Sequence, residues 1–473
     1  MTLLPDEILT SSATILKTLI HKREISPVDL VASYLARIEK LNPRVNAFIN
    51  VARNDAIRTA QSLERNISNR ESPSPLFGLP YAIKDAFFST TTATTAGSRV
   101  LQSFMAAYNS TVVERLNSAG AILIGKLNMT EFGMGTGDHF HYGTPRNPWD
   151  LDRSPGFSSS GSGIATAASL CAFTIGEDTG GSVRIPASHC GVTGLRPSQG
   201  LVSRYGSIPI SSTFDIAGPI TKTAADTAMV MDVISGYDPK DLTTVSGCPT
   251  SYSSFIDDRP SVNRIGLIKE MMEESHINKE VSQAVNSSLQ LFEDQGIKVE
   301  LCSLPASVDA MPIVAALSES ETLSIHGSHL KSAPDEYGQL MRRRLLAAHL
   351  IPSRIYQQML QIKSVLKQQI DTIFDTYQVL VCPTQLHPAP KILPLKDITT
   401  ESQALNSYTL SRGPTGLAAL AGCPAISIPC GFTANHLPVG LQIIGKPFED
   451  LMVMQLAHLF QQHSSWHALL PNL

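Results

Sequence analysis

The sequence predicts an α/β fold organised around a parallel or mixed β-sheet. Short apolar runs of strand length, such as residues 121–124 and 264–268, alternate with longer stretches of helical periodicity, such as 224–234 and 280–295. Alternation of this kind is typical of proteins in which helices pack on the faces of a sheet. The chain has 473 residues, 42% of them apolar and 16% charged, so it can bury a large core.

A single domain is predicted over residues 1–473, because no linker stands out and no internal repeat is present. Residues from about 305 to 375 are more helical and more charged than the rest, and we expect them to cover one side of the fold. Near the N-terminus, Ser26 followed by Pro27 and Asp29 is a typical helix start, with serine as the N-cap.

Composition argues against several classes of protein. A net charge of −4 and a pI near 6.4 disfavour a general nucleic-acid surface. The seven cysteines are odd in number and none has CxxC spacing, which predicts reduced core residues in a cytoplasmic protein. The first residues lack the features of a signal peptide, and the most apolar helix candidate, 163–174, is too short to cross a membrane. His139 and His141 have no apparent third ligand, so neither a metal nor a cofactor is expected.

Residues 154–197 concentrate groups suited to nucleophilic chemistry without histidine. A serine cluster begins at Ser158, and a small-residue turn ends at Ser182, twenty-four residues later. A serine nucleophile needs a base, and none of the thirteen histidines has a recognisable partner. Lys84 follows the apolar run GLPYAI, and burial can lower the pKa of a lysine enough to make it a base. The alternative is a surface lysine paired with Asp85.

The turn Thr179-Gly180-Gly181-Ser182 is a candidate oxyanion hole. Consecutive glycines allow successive backbone N–H groups to converge on one point. Taken alone, an ordinary tight turn explains two glycines and a serine at least as well.

Seven longer motifs identify a family resemblance. They are GLPYAIKD, GAILIGKLNMTEFGMG, YGTPRNPWD, GGSVRIPASHCGVTGLRP, DIAGPITKTAADTAMVMDVISGYDP, CPAISIPCGF and LPVGLQIIGKPFED. In this order they resemble the amidase-signature hydrolases, which include fatty acid amide hydrolase, bacterial amidases and the A subunit of glutamyl-tRNA(Gln) amidotransferase. The resemblance covers nearly the whole chain and implies a large twisted mixed sheet flanked by helices.

The resemblance also implies a Ser–Ser–Lys triad. Ser182 falls at the nucleophile position, Ser158 at the bridging position, where the family has a cis peptide bond, and Lys84 at the position of the base. The family mechanism passes through an acyl-enzyme, and the oxyanion would be held by the backbone N–H groups of Thr179, Gly180, Gly181 and Ser182.

Other positions follow from the same resemblance. Ser159 and Arg184 match supporting residues, and a structural role for Arg184 is favoured over substrate contact. Met134 and Thr136 match the pocket wall. The family usually has Gly-Gly-Ser-Ser-Gly-Gly where this chain has GFSSSG, so we expect Phe157 to pack into or beside the pocket and the triad to survive.

The departures bear on the substrate. Residues 318–332 read SESETLSIHGSHLKS, without the Ser-Asn-Leu-Ala-Arg-Tyr motif of the amidotransferase subunit. Arg412 stands near the position where that subunit has an acidic residue for the amino group of glutamine. An arginine cannot bind an ammonium group but can bind a carboxylate or carbonyl of the substrate. The alternative is that Arg412 lies at the surface or behind the residues that contact the substrate.

We therefore predict a free-standing amidase that cleaves a linear amide of a small or medium-sized molecule and releases ammonia or an amine. Neither nucleic acid nor a membrane is an expected partner, and a homodimer is left open. The alternatives are the glutaminase subunit of a tRNA-dependent amidotransferase and a catalytically silent binding protein on the same fold.

Overall fold

The fold is centred on one mixed β-sheet. The computed structural model describes residues 2–66, 74–134, 140–247, 251–392 and 413–473. In these residues the sheet has eleven strands, in the order β1-β3-β2-β4-β6-β5-β10-β11-β9-β7-β8. The strands are β1 (Phe48–Val51), β2 (Pro80–Lys84), β3 (Ile122–Leu127), β4 (Phe173–Glu177), β5 (Thr193–Arg196), β6 (Ala217–Thr221), β7 (Arg264–Ile268), β8 (Lys298–Cys302), β9 (Val379–Pro383), β10 (Ala425–Phe432) and β11 (Pro438–Gly445).

Parallel pairing occurs toward both ends of the sheet and antiparallel pairing in its middle. Strand β2 lies between β3 and β4 and is parallel to both, and β7 is parallel to β8 and β9. Between β4 and β9, each successive pair in the order β4-β6-β5-β10-β11-β9 is antiparallel, and the edge strand β1 is antiparallel to β3. The predicted mixed sheet flanked by helices is therefore confirmed.

Helices flank the sheet. They are α1 (Asp6–Leu9), α2 (Ala13–His21), α3 (Pro27–Val45), α4 (Arg53–Asn66), α5 (Thr111–Ser118), α6 (Ser160–Ala167), α7 (Arg184–Cys190), α8 (Ala224–Ile234), α9 (Lys279–Asp294), α10 (Ala306–Ser332), α11 (Gln339–Ala348), α12 (Ser353–Ile373), α13 (Gly416–Ala421) and α14 (Asp450–Gln462). No helix in the described ranges is long and apolar enough to cross a membrane.

Most predicted elements are present, with three informative differences. Helix α3 begins where predicted, and the Ser26 hydroxyl accepts hydrogen bonds from the amides of Val28 and Asp29. The helix expected from residue 163 instead begins at Ser160, directly after the serine cluster. Helix α7 and strands β5 and β6 were not predicted. Every residue of α7 is buried, so the helix lacks the apolar-to-polar contrast that produces a periodic pattern.

The segment from α10 to α12 packs on the sheet through its own apolar cluster. Met311 and Leu317 of α10 lie in this cluster with Leu366 of α12 and Leu417 of α13. Glu321 of α10 also accepts hydrogen bonds from Ser211, Thr213 and Tyr356, among others. The assignment of residues 1–473 to a single domain stays a prediction.

The cysteines lie in the core. Six of the seven belong to the described residues, and all six are buried and unpaired: Cys171, Cys190, Cys302, Cys382, Cys423 and Cys430. Cys248 lies outside the described residues.

Candidate active site

Two neighbouring parallel strands bring a lysine and a glutamate together. In the register of β2 and β4, Ile83 lies opposite Ile175, so the carboxyl ends of both strands reach the same edge. Lys84 ends β2 and Glu177 ends β4. Both side chains are buried, and the Lys84 Nζ lies 3.3 Å from the Glu177 Oε2.

Lys84 also contacts the serine cluster. Its Nζ lies 2.8 Å from the Oγ of Ser158, which is buried and follows a cis peptide bond from Phe157. The alternative of a surface lysine paired with Asp85 is wrong, because Lys84 is fully buried and Asp85 pairs with Lys126 at 3.0 Å. Two of the three triad residues named by the resemblance are thus in hydrogen-bond contact.

Ser159 connects the serine cluster to its surroundings. Its hydroxyl donates to the Glu177 carbonyl at 3.3 Å and accepts from the Glu177 amide at 3.2 Å. Its own amide lies 3.3 Å from the carbonyl of Ser182. Ser160, which replaces a family glycine, donates to the Gly156 carbonyl at 2.6 Å, so its extra hydroxyl is satisfied within the loop. These contacts hold the Ser158 loop against the Ser182 turn.

Asp178 organises the turn that leads to Ser182. Its carboxylate accepts hydrogen bonds from the amides of Gly181 at 2.8 Å and Val183 at 3.2 Å. It also forms ion pairs with Arg184 at 2.9 Å and Arg196 at 3.1 Å, and all three side chains are completely buried. Burial alone would raise the pKa of Asp178, but the two guanidinium groups hold it well below its usual range.

Arg184 has the contacts of a structural residue. Besides Asp178, its guanidinium donates to the carbonyl of Thr415 at 2.8 Å and to the side-chain oxygen of Gln442 at 2.6 Å. It therefore joins the turn to β11 and to the start of α13.

The predicted oxyanion donors are not equivalent. The Gly181 N–H is engaged by Asp178, whereas the N–H groups of Thr179, Gly180 and Ser182 donate no hydrogen bond within the described part of the chain. The Thr179 hydroxyl donates to Asp215 at 2.6 Å. Ser182 is partly exposed, and its hydroxyl has no hydrogen-bond partner among the residues described. The three unengaged amides and the accessible hydroxyl suit a nucleophile beside an oxyanion site.

The two glycines of the turn should respond differently to alanine. Gly181 has φ of +126°, and an added Cβ would lie on the Thr415 hydroxyl; at Gly180 the nearest atoms, of Met311 and Val314, are 3.5 Å away. We expect Gly181→Ala to lower the free energy of unfolding by roughly 2 kcal/mol or more. Gly180→Ala should change it by less than about 1 kcal/mol. Urea unfolding of both variants checks this, and equal losses would contradict it.

The structure places the predicted pocket residues unevenly. A Cβ on Gly133 would lie 3.4 Å from the Ser158 Oγ, so Met134, the next residue, is close to the site and buried. The Thr322 hydroxyl of α10 contacts the Met134 sulfur at 3.7 Å. Phe157 is half-buried and joins none of the hydrophobic clusters of the described residues. Thr136 and Arg412 lie outside the described residues, as does His139.

Sequence reasoning missed Glu177. The signal was a single carboxylate at the end of a strand whose residues are all buried. Burial raises the pKa of Glu177 to about 7, and the neighbouring Lys84 opposes that rise. In the described ranges, no group of three or more His, Cys, Asp or Glu side chains is arranged to hold a metal ion.

The comparison with known families matches this geometry. The family model described as Amidase matches residues 29–454. The chain belongs to the amidase family. The resemblance inferred from the motifs is thereby confirmed, and the protein is an amidase-signature enzyme acting on carbon–nitrogen bonds.

Relatives of this amidase-family chain span nearly its whole length. The A subunit of glutamyl-tRNA(Gln) amidotransferase from Geobacillus thermodenitrificans (strain NG80-2) is 37% identical over 97% of this chain and 98% of that protein. The crystal structure of the corresponding subunit from Thermotoga maritima is 30% identical, with a TM-score of 0.80 over 98% of this chain and 97% of that one. A chain from a vestigial protein complex, tied to the evolutionary origins of an s-triazine catabolic enzyme, is 26% identical, with a TM-score of 0.88 over 96% and 99%.

Proposed function

We propose that the protein hydrolyses an amide through an acyl-enzyme on Ser182. The observation that carries this proposal is the buried contact of 2.8 Å between Lys84 and Ser158, beside a turn that presents Ser182 and unengaged amides. A serine hydroxyl requires a base, and the Lys84 amine is the base in contact with the serine cluster.

The proposed reaction begins with a neutral Lys84 amine. The Ser182 proton passes to Ser158, and the Ser158 proton passes to Lys84, while the Ser182 oxygen bonds to the amide carbon. The N–H groups of the turn receive the charge that develops on the carbonyl oxygen. Collapse breaks the carbon–nitrogen bond, and the leaving nitrogen takes the proton back from Lys84 through Ser158. Water then repeats the sequence on the ester and releases the acid.

For the biological role, we infer an amide-cleaving subunit of an amidotransferase of the glutamyl-tRNA(Gln) type. Relatives bearing that description reach 37% identity over 97% of this chain. This reverses the preference drawn from the sequence, which rested on one missing motif and on Arg412. The partners that follow from this role are further subunits and an aminoacylated tRNA.

A second candidate is a free-standing amidase of small or medium-sized molecules. It is favoured by Phe157, a half-buried aromatic ring next to Ser158 where the family usually has glycine. The higher TM-score to the s-triazine-related chain, 0.88 against 0.80 for the amidotransferase subunit, is in line with this candidate.

Hydrolysis by the purified chain, alone and with amidotransferase partner subunits and tRNA, separates the candidates. We expect ammonia release from glutamine to rise at least about tenfold when the partners are present, since the differential contacts of a complex can contribute over 1 kcal/mol. Turnover of a small amide by the chain alone, lost in Ser182→Ala, would favour the free-standing amidase. A folded chain that neither hydrolyses amides nor labels with a fluorophosphonate would contradict both.

A further inference from the structure

The Lys84 ammonium has three acceptors around it, and two of them belong to Glu177. The Nζ lies 2.8 Å from the Ser158 Oγ, 3.3 Å from the Glu177 Oε2 and 3.5 Å from the Glu177 carbonyl. An ammonium has three N–H donors, so this set satisfies the charged form. A neutral Lys84 amine has two N–H donors, which can bond to the Glu177 carbonyl and carboxylate oxygens. The lone pair of the amine then faces the Ser158 hydroxyl.

We propose that Glu177 is a positioning residue for the reaction, which orients Lys84 toward Ser158 and strengthens it as a base by stabilising the ammonium that forms. This inference rests on the proposed acyl-enzyme function. A carboxylate that holds a base and stabilises its protonated form has the same physical role as the aspartate of a Ser–His–Asp triad.

Proton accounting shows where the carboxylate acts. Before attack, Lys84 is neutral and Glu177 is ionised. When the Ser158 proton moves to Lys84, the new ammonium lies 3.3 Å from a carboxylate, in a site closed to water. Attraction between opposite charges is strong in such surroundings, so the proton transfer is favoured.

Other charged groups also face Glu177. Asp215 approaches from the connection between β5 and β6 and raises the pKa of Glu177 further, whereas Arg204 in the same connection lowers it. Asp178, the next residue on the chain, instead pairs with Arg184 and Arg196. Above about pH 7 the Glu177 carboxyl is ionised, so a negative charge lies beside the Lys84 nitrogen.

Glu177→Gln should therefore have two opposed effects on the reactivity of Ser182. The measurement is the second-order rate constant for labelling by a fluorophosphonate as a function of pH. In the plot of this rate constant against pH, we expect the acidic limb to move to lower pH by about one unit or more, because the base loses the negative charge beside it. The plateau at high pH should fall at least about tenfold, because the base is weaker. Glu177→Asp, which keeps the charge, should retain a limb close to that of the wild type.

Asp450→Asn is the matched control. Asp450 is a buried carboxyl that accepts hydrogen bonds from Ser198, away from the Lys84 cluster. Its loss should leave the limb in place. A limb that does not move in Glu177→Gln would overturn the proposal, even if the rate fell at every pH, because a uniform fall is what structural damage alone produces.

A stability comparison follows the ionisation of the Glu177 carboxyl without any measurement of activity. The pKa of Glu177 is raised to about 7 in the folded protein. The contribution of this carboxyl to the free energy of unfolding is therefore complete below about pH 4.3, the ordinary glutamate pKa, and is lost as the pH rises through 7. The advantage of the wild type over Glu177→Gln in urea unfolding should shrink across that window. A constant difference would contradict burial as the cause of the raised Glu177 pKa, whereas the proposal itself is decided by the position of the labelling limb. Absence of labelling in folded wild type would instead overturn the acyl-enzyme function.

Discussion

Ser182→Ala is expected to reduce amide hydrolysis by about 10⁴-fold or more while the protein stays as stable as the wild type. Loss of a serine nucleophile removes the covalent route, and serine hydrolases then lose several orders of magnitude in turnover. The Ser182 side chain is partly exposed and its hydroxyl has no partner among the described residues, so its removal breaks no hydrogen bond there. Initial rates of hydrolysis and urea unfolding check the two halves of this expectation.

Lys84→Met should lose both activity and stability. The variant lacks the base and leaves the buried Glu177 carboxyl without its cation. Removing one partner of a buried ion pair costs about 3–5 kcal/mol when the other stays charged. Lys222→Met is the control, since Lys222 is a buried lysine that binds the carbonyls of Thr10 and Ser11 instead of the serine cluster. It should lose stability without losing labelling of Ser182.

For the Ser182→Ala prediction, turnover above about 1% of the wild-type rate would contradict the assignment of Ser182 as the nucleophile.

The sequence predicted those parts of the fold that carry local signals. Helix α8 occupies residues 224–234 as predicted, because a largely apolar run follows Thr223, whose hydroxyl caps the helix by accepting a hydrogen bond from the Asp226 amide. Strands β5 and β6 contain Gly194, Gly218 and Pro219, which are residues typical of turns. Their pairing is set by neighbouring strands from distant parts of the chain, so no local pattern indicates it.

The candidate site was predictable only through the family motifs. Lys84 and Ser158 are 74 residues apart, and their contact depends on the sheet rather than on any spacing. Glu177 was missed because a carboxylate after an apolar run usually begins an exposed turn. Its burial follows from the parallel register of β2 and β4, which places Lys84 beside it. Arg196 could not be predicted for the same reason, because its ion pair with Asp178 forms only when the end of β5 lies beside the turn that follows β4.

Asp178→Asn is expected to produce the largest loss of stability of any single substitution considered for this protein. The carboxylate binds two guanidinium groups and two backbone amides in a completely buried setting. Asparagine keeps the shape but leaves Arg184 and Arg196 without a counter-charge. Buried ion pairs broken in this way cost about 3–5 kcal/mol, and here two pairs share one carboxylate. Because this carboxylate also holds the Gly181 amide, labelling of Ser182 should fall as well.

The pH dependence separates this effect from the loss of any buried carboxyl. The pKa of Asp178 is depressed in the folded protein. Its contribution to the free energy of unfolding is therefore present above the ordinary aspartate pKa of about 3.9 and is lost as the pH falls below that value. Asp450 shows the opposite behaviour, because burial raises its pKa to about 6. Its contribution is complete at low pH and is lost as the pH rises through about 6.

Urea unfolding between pH 4 and pH 8 should therefore give a constant deficit for Asp178→Asn and a deficit for Asp450→Asn that shrinks with rising pH. The Asp450 variant should also keep its labelling of Ser182, since Asp450 bonds to Ser198 and not to the turn. If both deficits shrank together, Asp178 would be a desolvated carboxyl like Asp450. The two arginines would then not be the reason that the turn presents Ser182.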